Sequence, residues 1–329
     1  MYVKRNYGFW MTFNWSKKPF IYGFFYTIII TAIYEYTTLN ISIPWQPLSI
    51  IGIAVAFYLG FKNNSSYDRT WEARKIWGSI VNNSRSFAAS VLAFIQSENK
   101  EEVESIKRGL IYRHIAWLTA LRYQLRLSRQ WEHTHERLSG LYVPTICEAY
   151  FNQLDVDLKD LIHPDELEQY KRQSNMATQL LATQTKKIKS LKELDYITEL
   201  EHFRLQELVG SFYDEQGKCE RIKNFPFPRQ YASTALWTTM VFSALVPLGL
   251  LSIFAETSWV WLNAPFSALV IWVFFLTEKI GDYSENPFEG TYNDVPITSI
   301  ARTIEIDLRE MLGEKDVPQP LAEENGFLM

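Results

Sequence analysis

The 329-residue chain has only two cysteines, Cys147 and Cys219. Two thiols build neither a disulfide framework nor a four-thiolate zinc site. A basic excess is also missing, since 33 Lys plus Arg face 37 Asp plus Glu. With nothing left over to neutralise phosphates, nucleic acid is not an expected partner. No Walker loop, dinucleotide fingerprint, nucleophile elbow or zinc-protease motif is present, so nothing supports an enzyme, a cofactor or a metal. Of the five histidines, His133 and His135 stand two apart, a spacing that points in different directions on a helix and reads as surface placement rather than a metal pair. His114 falls in an apolar helical stretch and is expected to pack. Cys219 lies near basic residues, but no motif supplies it with a base.

Charge is absent in blocks. Residues 19–34 and 36–61 are uncharged apart from the single Glu35 between them, and residues 230–255 and 257–277 are uncharged on either side of Glu256. A bilayer core of roughly 30 Å takes about 20 apolar residues of helix, so four membrane helices are expected: 20–38, 47–61, 231–255 and 258–276. Lysine and arginine fall on one side of these spans. Lys4, Arg5, Lys17 and Lys18 precede the first, Lys62, Arg69, Arg74 and Lys75 follow the second, and Arg221, Lys223 and Arg229 precede the third. Lys279 follows the fourth, and the two outer connections have neither residue. This bias predicts an inner (plasma) membrane protein with both termini and the middle of the chain cytoplasmic. Trp45, Trp259 and Trp261 at the outer ends, and Trp10 and Trp15 at the inner, suit interfacial belts. The competing reading is buried helices of a soluble protein.

The chain therefore divides into a cytoplasmic segment 1–19, spans in 20–61, a charged helical region 62–229, spans in 230–277, a segment 278–312 and a tail 313–329. In the charged region helices are expected over 66–92, 101–129, 164–181 and 191–222, with no sustained strand alternation. Ile297, Ile300, Ile304, Leu308 and Met311 mark an amphipathic helix over 296–312. The tail, with Pro318, Pro320 and Gly326, is expected to be mobile or extended along a surface.

The second span has the clearest pattern. Ile53, Phe57 and Phe61 recur every four residues as one apolar stripe, while Gly52, Ala56 and Gly60 form a small-residue ridge beside it. Small residues let helices approach closely, so copies of this helix can surround an axis and present the large stripe inward as a throat that gates by dewetting. Periodicity alone favours packing of both stripes within one subunit, since apolar helical stripes are usually packing surfaces.

The next residues decide between these readings. The run GFKNNSSYDR at 60–69, with WEARK at 71–75 and WG at 77–78, resembles the signature that follows the pore helix of the bestrophin family, in particular its prokaryotic members. HIAW at 114–117, ALR at 120–122, QLR at 124–126, GKCERI at 217–222, PFP at 226–228, NPF at 286–288, NDVPI at 293–297 and IEI at 304–306 are similar in the same order. The resemblance implies an all-α homopentameric channel for small monovalent ions, with four spans per subunit, a helical vestibule and a neck made by Ile53, Phe57 and Phe61. It also implies a second, cytoplasmic constriction, for which Ile197, Leu200 and Phe203 are candidates. Tyr67, Asp68, Arg69, Trp71, Glu72 and Arg74 are expected to form an ion-paired and aromatic network at the membrane exit. Calcium-activated relatives have a dense acidic cluster after Asn-Pro-Phe. Here only Glu289 and Asp294 are charged, so gating without calcium is expected. The neck has no charged ring to set selectivity, and the acidic balance leans slightly to cations. A secondary transporter and a membrane-anchored scaffold are the alternatives. Glu35 and Glu256, the ionisable residues noted near the spans, sit at span ends, which disfavours the transporter.

Overall fold

The computed structural model describes residues 1–133, 147–150 and 153–329; His135 lies outside them. Ten α-helices are present among the described residues: α1 (Phe9–Tyr36), α2 (Trp45–Phe94), α3 (Lys100–Arg126), α4 (Leu154–Leu158), α5 (Pro164–Lys171), α6 (Met176–Glu193), α7 (Glu199–Asn224), α8 (Arg229–Phe254), α9 (Asn263–Asp282) and α10 (Ile297–Met311). The only β pairing there is a pair of isolated bridges, Tyr2 with Phe327 and Glu324 with Phe327. The chain divides into an apolar unit, residues 4–70 and 226–286, and a charged unit, residues 1–3, 71–225 and 287–329.

In the apolar unit α9 packs against both α1 and α8. α2, α8, and α9 with the short 3-10 turn before it (Val260–Leu262) are long and apolar enough to cross a membrane. The first expected span, within α1, does not join them by this measure, because Tyr22, Tyr26, Tyr34, Tyr36 and Glu35 dilute its apolar run. α1 also begins eleven residues earlier than the expected span at Phe20 and runs through Pro19. Proline has no N–H for the carbonyl four residues back. Lys279 Nζ supplies the missing donor, bonding the Trp15 carbonyl at 3.0 Å. Beside an apolar cluster of Leu48, Val55, Leu59, Phe242, Val246 and Ile271, this unit has close and polar contacts between helices. A Cβ on Gly23 would meet Ile271 at 2.9 Å, and buried Asn263 bonds Thr31 Oγ1 and the Pro247 carbonyl, each at 3.1 Å. Close approach and interhelical hydrogen bonds hold helices together where no water drives them to associate.

The charged unit is built the other way round. Trp77, Phe87, Ile111, Trp117, Leu118 and Phe212 are fully buried at its centre, and Trp117 Nε1 donates to Gln216 Oε1 at 2.9 Å. α3 packs on α6 and α6 on α7, while α10 sets Ile297, Ile304 and Leu308 into the same core beside α3. Two expected helices are each broken in two. Asn175 caps α6 by accepting from Thr178 N, which ends the continuity of 164–181. Asp195, with φ of 58°, and the Thr198–Glu201 capping box divide the expected helix 191–222.

The tail is docked rather than mobile. Leu328 N donates to the Met1 carbonyl at 2.8 Å, Val3 N to Gly326 at 2.9 Å, and Ser299 N to Met329 at 2.6 Å. Phe327 and Met329 are buried, so two apolar anchors hold a segment whose prolines and glycine suggested freedom.

Candidate functional site

α2 is one 50-residue helix, and its apolar half has two unlike faces. Leu48, Val55 and Leu59 face inward at 2%, 4% and 1% exposure, whereas Ile53, Phe57 and Phe61 stand 71%, 69% and 58% exposed. Phe57 and Phe61 meet edge to face with centroids 4.6 Å apart, which joins the two aromatic members of the stripe. The small-residue ridge has mixed surroundings in the single chain. A Cβ on Gly52 would lie 2.8 Å from the Phe242 ring of α8, so Gly52 serves packing within the chain. Gly60 has open space around it, and Ala56 is exposed. The structure thus separates the two stripes: the large one stays free in the single chain while part of the small one is used inside it.

Directly after Phe61 comes a feature the sequence reading passed over. Lys62 is 3% exposed, with its ammonium 2.7 Å from Glu278 Oε1 and 3.5 Å from Asp282 Oδ1. Next to it Asn63 Nδ2 bonds the Leu59 carbonyl at 2.8 Å and the Thr277 carbonyl at 3.1 Å. Together they fix the register of α2 on α9 at the end of the exposed stripe. The available signal was the charge complementarity of Lys62 with Glu278 and Asp282, which lie four apart on one helix face.

The signature residues engage partners at several points. Arg69 Nε donates to the Glu285 carbonyl at 2.8 Å and Thr70 Oγ1 to that of Ser284 at 2.9 Å. Glu285 itself is buried and pairs with Arg229 at 2.5 Å, while burial pushes its carboxyl above the ordinary value despite that partner. In the charged unit Glu72 pairs with Arg221, and Arg74 stands over the Trp71 ring 5.9 Å from its centroid. Tyr67 and Asp68 are exposed.

The stretch after Asn-Pro-Phe is tied down by basic side chains. Asp294 accepts from Arg126 Nη1 at 2.5 Å, Gly290 N at 2.6 Å and Thr291 Oγ1 at 2.9 Å. Burial raises its carboxyl pKa, and Arg126 opposes that rise. Gly290 has φ of 94°, and a Cβ there would come 2.7 Å from Ala149 Cβ, so this turn requires glycine. Glu289 is 3.1 Å from His133 Nδ1. Both charged residues of this stretch thus have protein partners, and among the described residues no group of three or more His, Cys, Asp or Glu is placed to hold a metal ion.

Of the candidates for a second constriction, Leu200 and Phe203 are 77% and 67% exposed on α7, but Ile197 is buried in the charged unit's core. Cys219 and Cys147 are buried, and desolvation pushes both thiols above their ordinary values, away from nucleophilic use. His114 packs between Phe87, Trp117 and Phe212. Its Nε2 is 2.8 Å from Ser84 Oγ, whose own proton goes to the Ile80 carbonyl, so Nε2 is the donor.

The family described as Bacterial/Fungal Bestrophin protein matches residues 17–310. A voltage-dependent anion channel-forming protein of Mesorhizobium japonicum is 26% identical, over 90% of this chain and 85% of its own length. One from Ralstonia nicotianae is 27% identical over 84% and 80%, and one from Escherichia coli K12 25% over 92% and 88%. The crystal structure of a bacterial bestrophin homologue from Klebsiella pneumoniae superposes with a TM-score of 0.76 at 22% identity, covering 91% of this chain and 98% of that one. The order of motifs, the all-helical architecture and the match along most of the sequence agree: the chain belongs to the bacterial/fungal bestrophin family.

Proposed function

We propose that this membrane protein is one subunit of a homopentameric ion channel that conducts small monovalent ions passively, with Ile53, Phe57 and Phe61 of five α2 helices as its hydrophobic neck. The observation that carries this reading is the exposed stripe itself. On a helix whose opposite face is tightly packed, three large apolar side chains remain 58–71% exposed in the single chain, as inward-facing groups of an assembly must be. The relatives named as anion channel-forming proteins support conduction. The number five comes from the resemblance. Four crossings per subunit, counting α1, keep both ends and the charged unit on the cytoplasmic side under the positive-inside rule. Leu200 and Phe203 are the proposed second constriction.

Charge sign is set away from the neck, which has no ionisable ring. The acidic balance of the whole chain leans to cations, and the names of the relatives lean to anions. Gating without calcium is favoured by the engagement of Asp294 with Arg126 and of Glu289 with His133. A micromolar calcium dependence of current would remove that part of the reading.

The test is current across a planar bilayer under a KCl gradient. A reversal potential displaced toward the potassium or the chloride value, with larger current in Phe57→Ala, supports a channel with this neck and gives its sign. An intact oligomer without current in either form overturns the proposal in favour of a scaffold, and saturable exchange of fixed stoichiometry does so in favour of a transporter.

A further inference from the structure

The apolar unit contains a crevice of about 430 Å³ that the channel reading does not use. α9 packs on both α1 and α8, and the crevice between those two helices is floored by Ile271 and walled by Tyr22 and Gly23 on one side and Ser243 and Ala244 on the other. Its width is fixed by one side chain: Tyr26 Oη reaches from α1 to donate to the Ala244 carbonyl of α8 at 3.0 Å. Gly23 and Ala244 keep it open by being small. The Ser243 hydroxyl is buried there without a protein partner, so hydrogen bonding within α8 does not close the wall.

Lys18 stands at one end of this otherwise apolar space, exposed, and among the described residues it has no carboxylate partner. Lys17 beside it bonds Asn14 Oδ1 at 3.2 Å. From Lys18 to Tyr26 the crevice follows α1 for about 12 Å, at 1.5 Å of rise per residue. A cationic mouth at the level of the first span's cytoplasmic end, opening into an apolar slot directed along the helices, matches an amphiphile with an anionic head and a hydrocarbon tail. A helix from a second copy is about 10–12 Å across with its side chains and does not enter a gap that a single tyrosine bridges.

We propose that this crevice binds one acyl chain of an anionic glycerophospholipid, whose phosphate is held at Lys18. The inference rests on the membrane reading of α1, α8 and α9, and it does not depend on conduction.

The full-length protein is reconstituted in vesicles of equal parts phosphatidylglycerol and phosphatidylcholine, extracted in detergent, and its bound phospholipid counted by native mass spectrometry. Wild type is expected to retain phosphatidylglycerol with about a tenfold preference. Ala244→Phe, which fills the slot, is expected to lower retention of both lipids by about tenfold. Lys18→Gln is expected to remove the preference while leaving retention. The mass spectra also record whether Ala244→Phe assembles; if it does not, the exposed Lys18→Gln variant decides alone. Equal retention of the two lipids by wild type, or an unchanged preference in Lys18→Gln, overturns the proposal, as does unchanged retention in an assembled Ala244→Phe. So does disulfide cross-linking between copies through Tyr22→Cys, which would put a second copy over the slot. Failure of the wild type to enter vesicles at all overturns the membrane reading itself, an outcome distinct from insertion without preference.

Discussion

The two units solve opposite problems with one chain. In the charged unit the largest side chains, Trp77, Trp117, Phe87 and Phe212, are wholly buried, and the outside is charged. In the apolar unit Ile53, Phe57, Tyr22, Phe25, Ile29, Trp237 and Val241 point outward, while Ser16, Thr27, Thr31, Asn263 and Ser267 are buried. Water drives the first arrangement by expelling apolar surface. In lipid that force between helices is absent, and small residues with internal hydrogen bonds take over. α2 passes through both regimes. Its outward positions change from Ile50, Ile53 and Phe57 to Asp68, Arg74 and Lys75 within one uninterrupted helix.

The contrast breaks first at each unit's most deeply buried large or charged group. Trp117→Ala removes a fully buried indole and its bond to Gln216, and is expected to cost the charged unit about 3–5 kcal/mol, read as a lowered unfolding midpoint. In the apolar unit the equivalent loss comes from a charge. Lys62→Met leaves Glu278 buried without its cation and is expected to cost about 3–5 kcal/mol. Adding Glu278→Gln should restore most of the Lys62→Met loss, since two neutral partners of similar shape remove the uncompensated charge. A double variant no more stable than the single one would show that Lys62 acts through something other than this pair.

A pH scan sharpens the comparison further, because only the charged unit has a core histidine. Burial holds the His114 imidazole down at about 3, against an ordinary value near 6.5 in the unfolded chain. Between those values the unfolded chain takes up a proton that the folded chain refuses. The His114 contribution is therefore whole above pH 6.5 and declines as pH falls toward 3, by about 2 kcal/mol at pH 5. The unfolding midpoint should drop on acidification in wild type, and the dependence should flatten in His114→Gln. An identical slope in both would place the titration elsewhere.

Asn263→Ala probes the polar glue of the other unit. It removes the bonds to Thr31 and Pro247 at the junction of α1, α8 and α9, yet interhelical hydrogen bonds in membranes average only about 0.6 kcal/mol. A loss of that order, measured by unfolding in detergent–lipid mixtures, is expected. A loss as large as that of Lys62→Met would mean that Asn263 fixes the helix junction rather than adding to it.

Much of this division was legible in the sequence, because uncharged blocks and basic flanks are composition over 20 residues and survive any detail of packing. The stripe Ile53–Phe57–Phe61 was legible from its period, and its exposure separates it from the buried row Leu48–Val55–Leu59. Pairings distant in sequence were hidden. Charge complementarity alone does not single out Glu278, 216 residues from Lys62, or Asp294, 168 residues from Arg126. The break before α7 was readable, since Thr198 and Glu201 are a capping box, but a run of good helix formers masked it. The tail left two readings open because proline and glycine speak for local freedom, whereas Phe327 and Met329 act through tertiary contact with the other end of the chain.

The smallest expected effect on stability belongs to the residue with the largest expected effect on function. Phe57 is 69% exposed, and within its own chain it meets Phe61 edge to face. Truncating it leaves no cavity in the apolar unit, so Phe57→Ala should shift stability by no more than about 0.5 kcal/mol. If five copies line a neck, the same change removes a ring of apolar bulk from the narrowest point, where dewetting sets the barrier, and current should rise by about tenfold or more. Ile51→Ala is the control, since Ile51 is 41% exposed on the same helix but, six residues from Phe57, lies about 120° round from the stripe. Equal currents in the two variants would mean that the exposed face of α2 meets lipid or a neighbouring subunit rather than ions. A gain confined to Phe57→Ala ties conduction to the period of the stripe, which packing within one chain cannot explain.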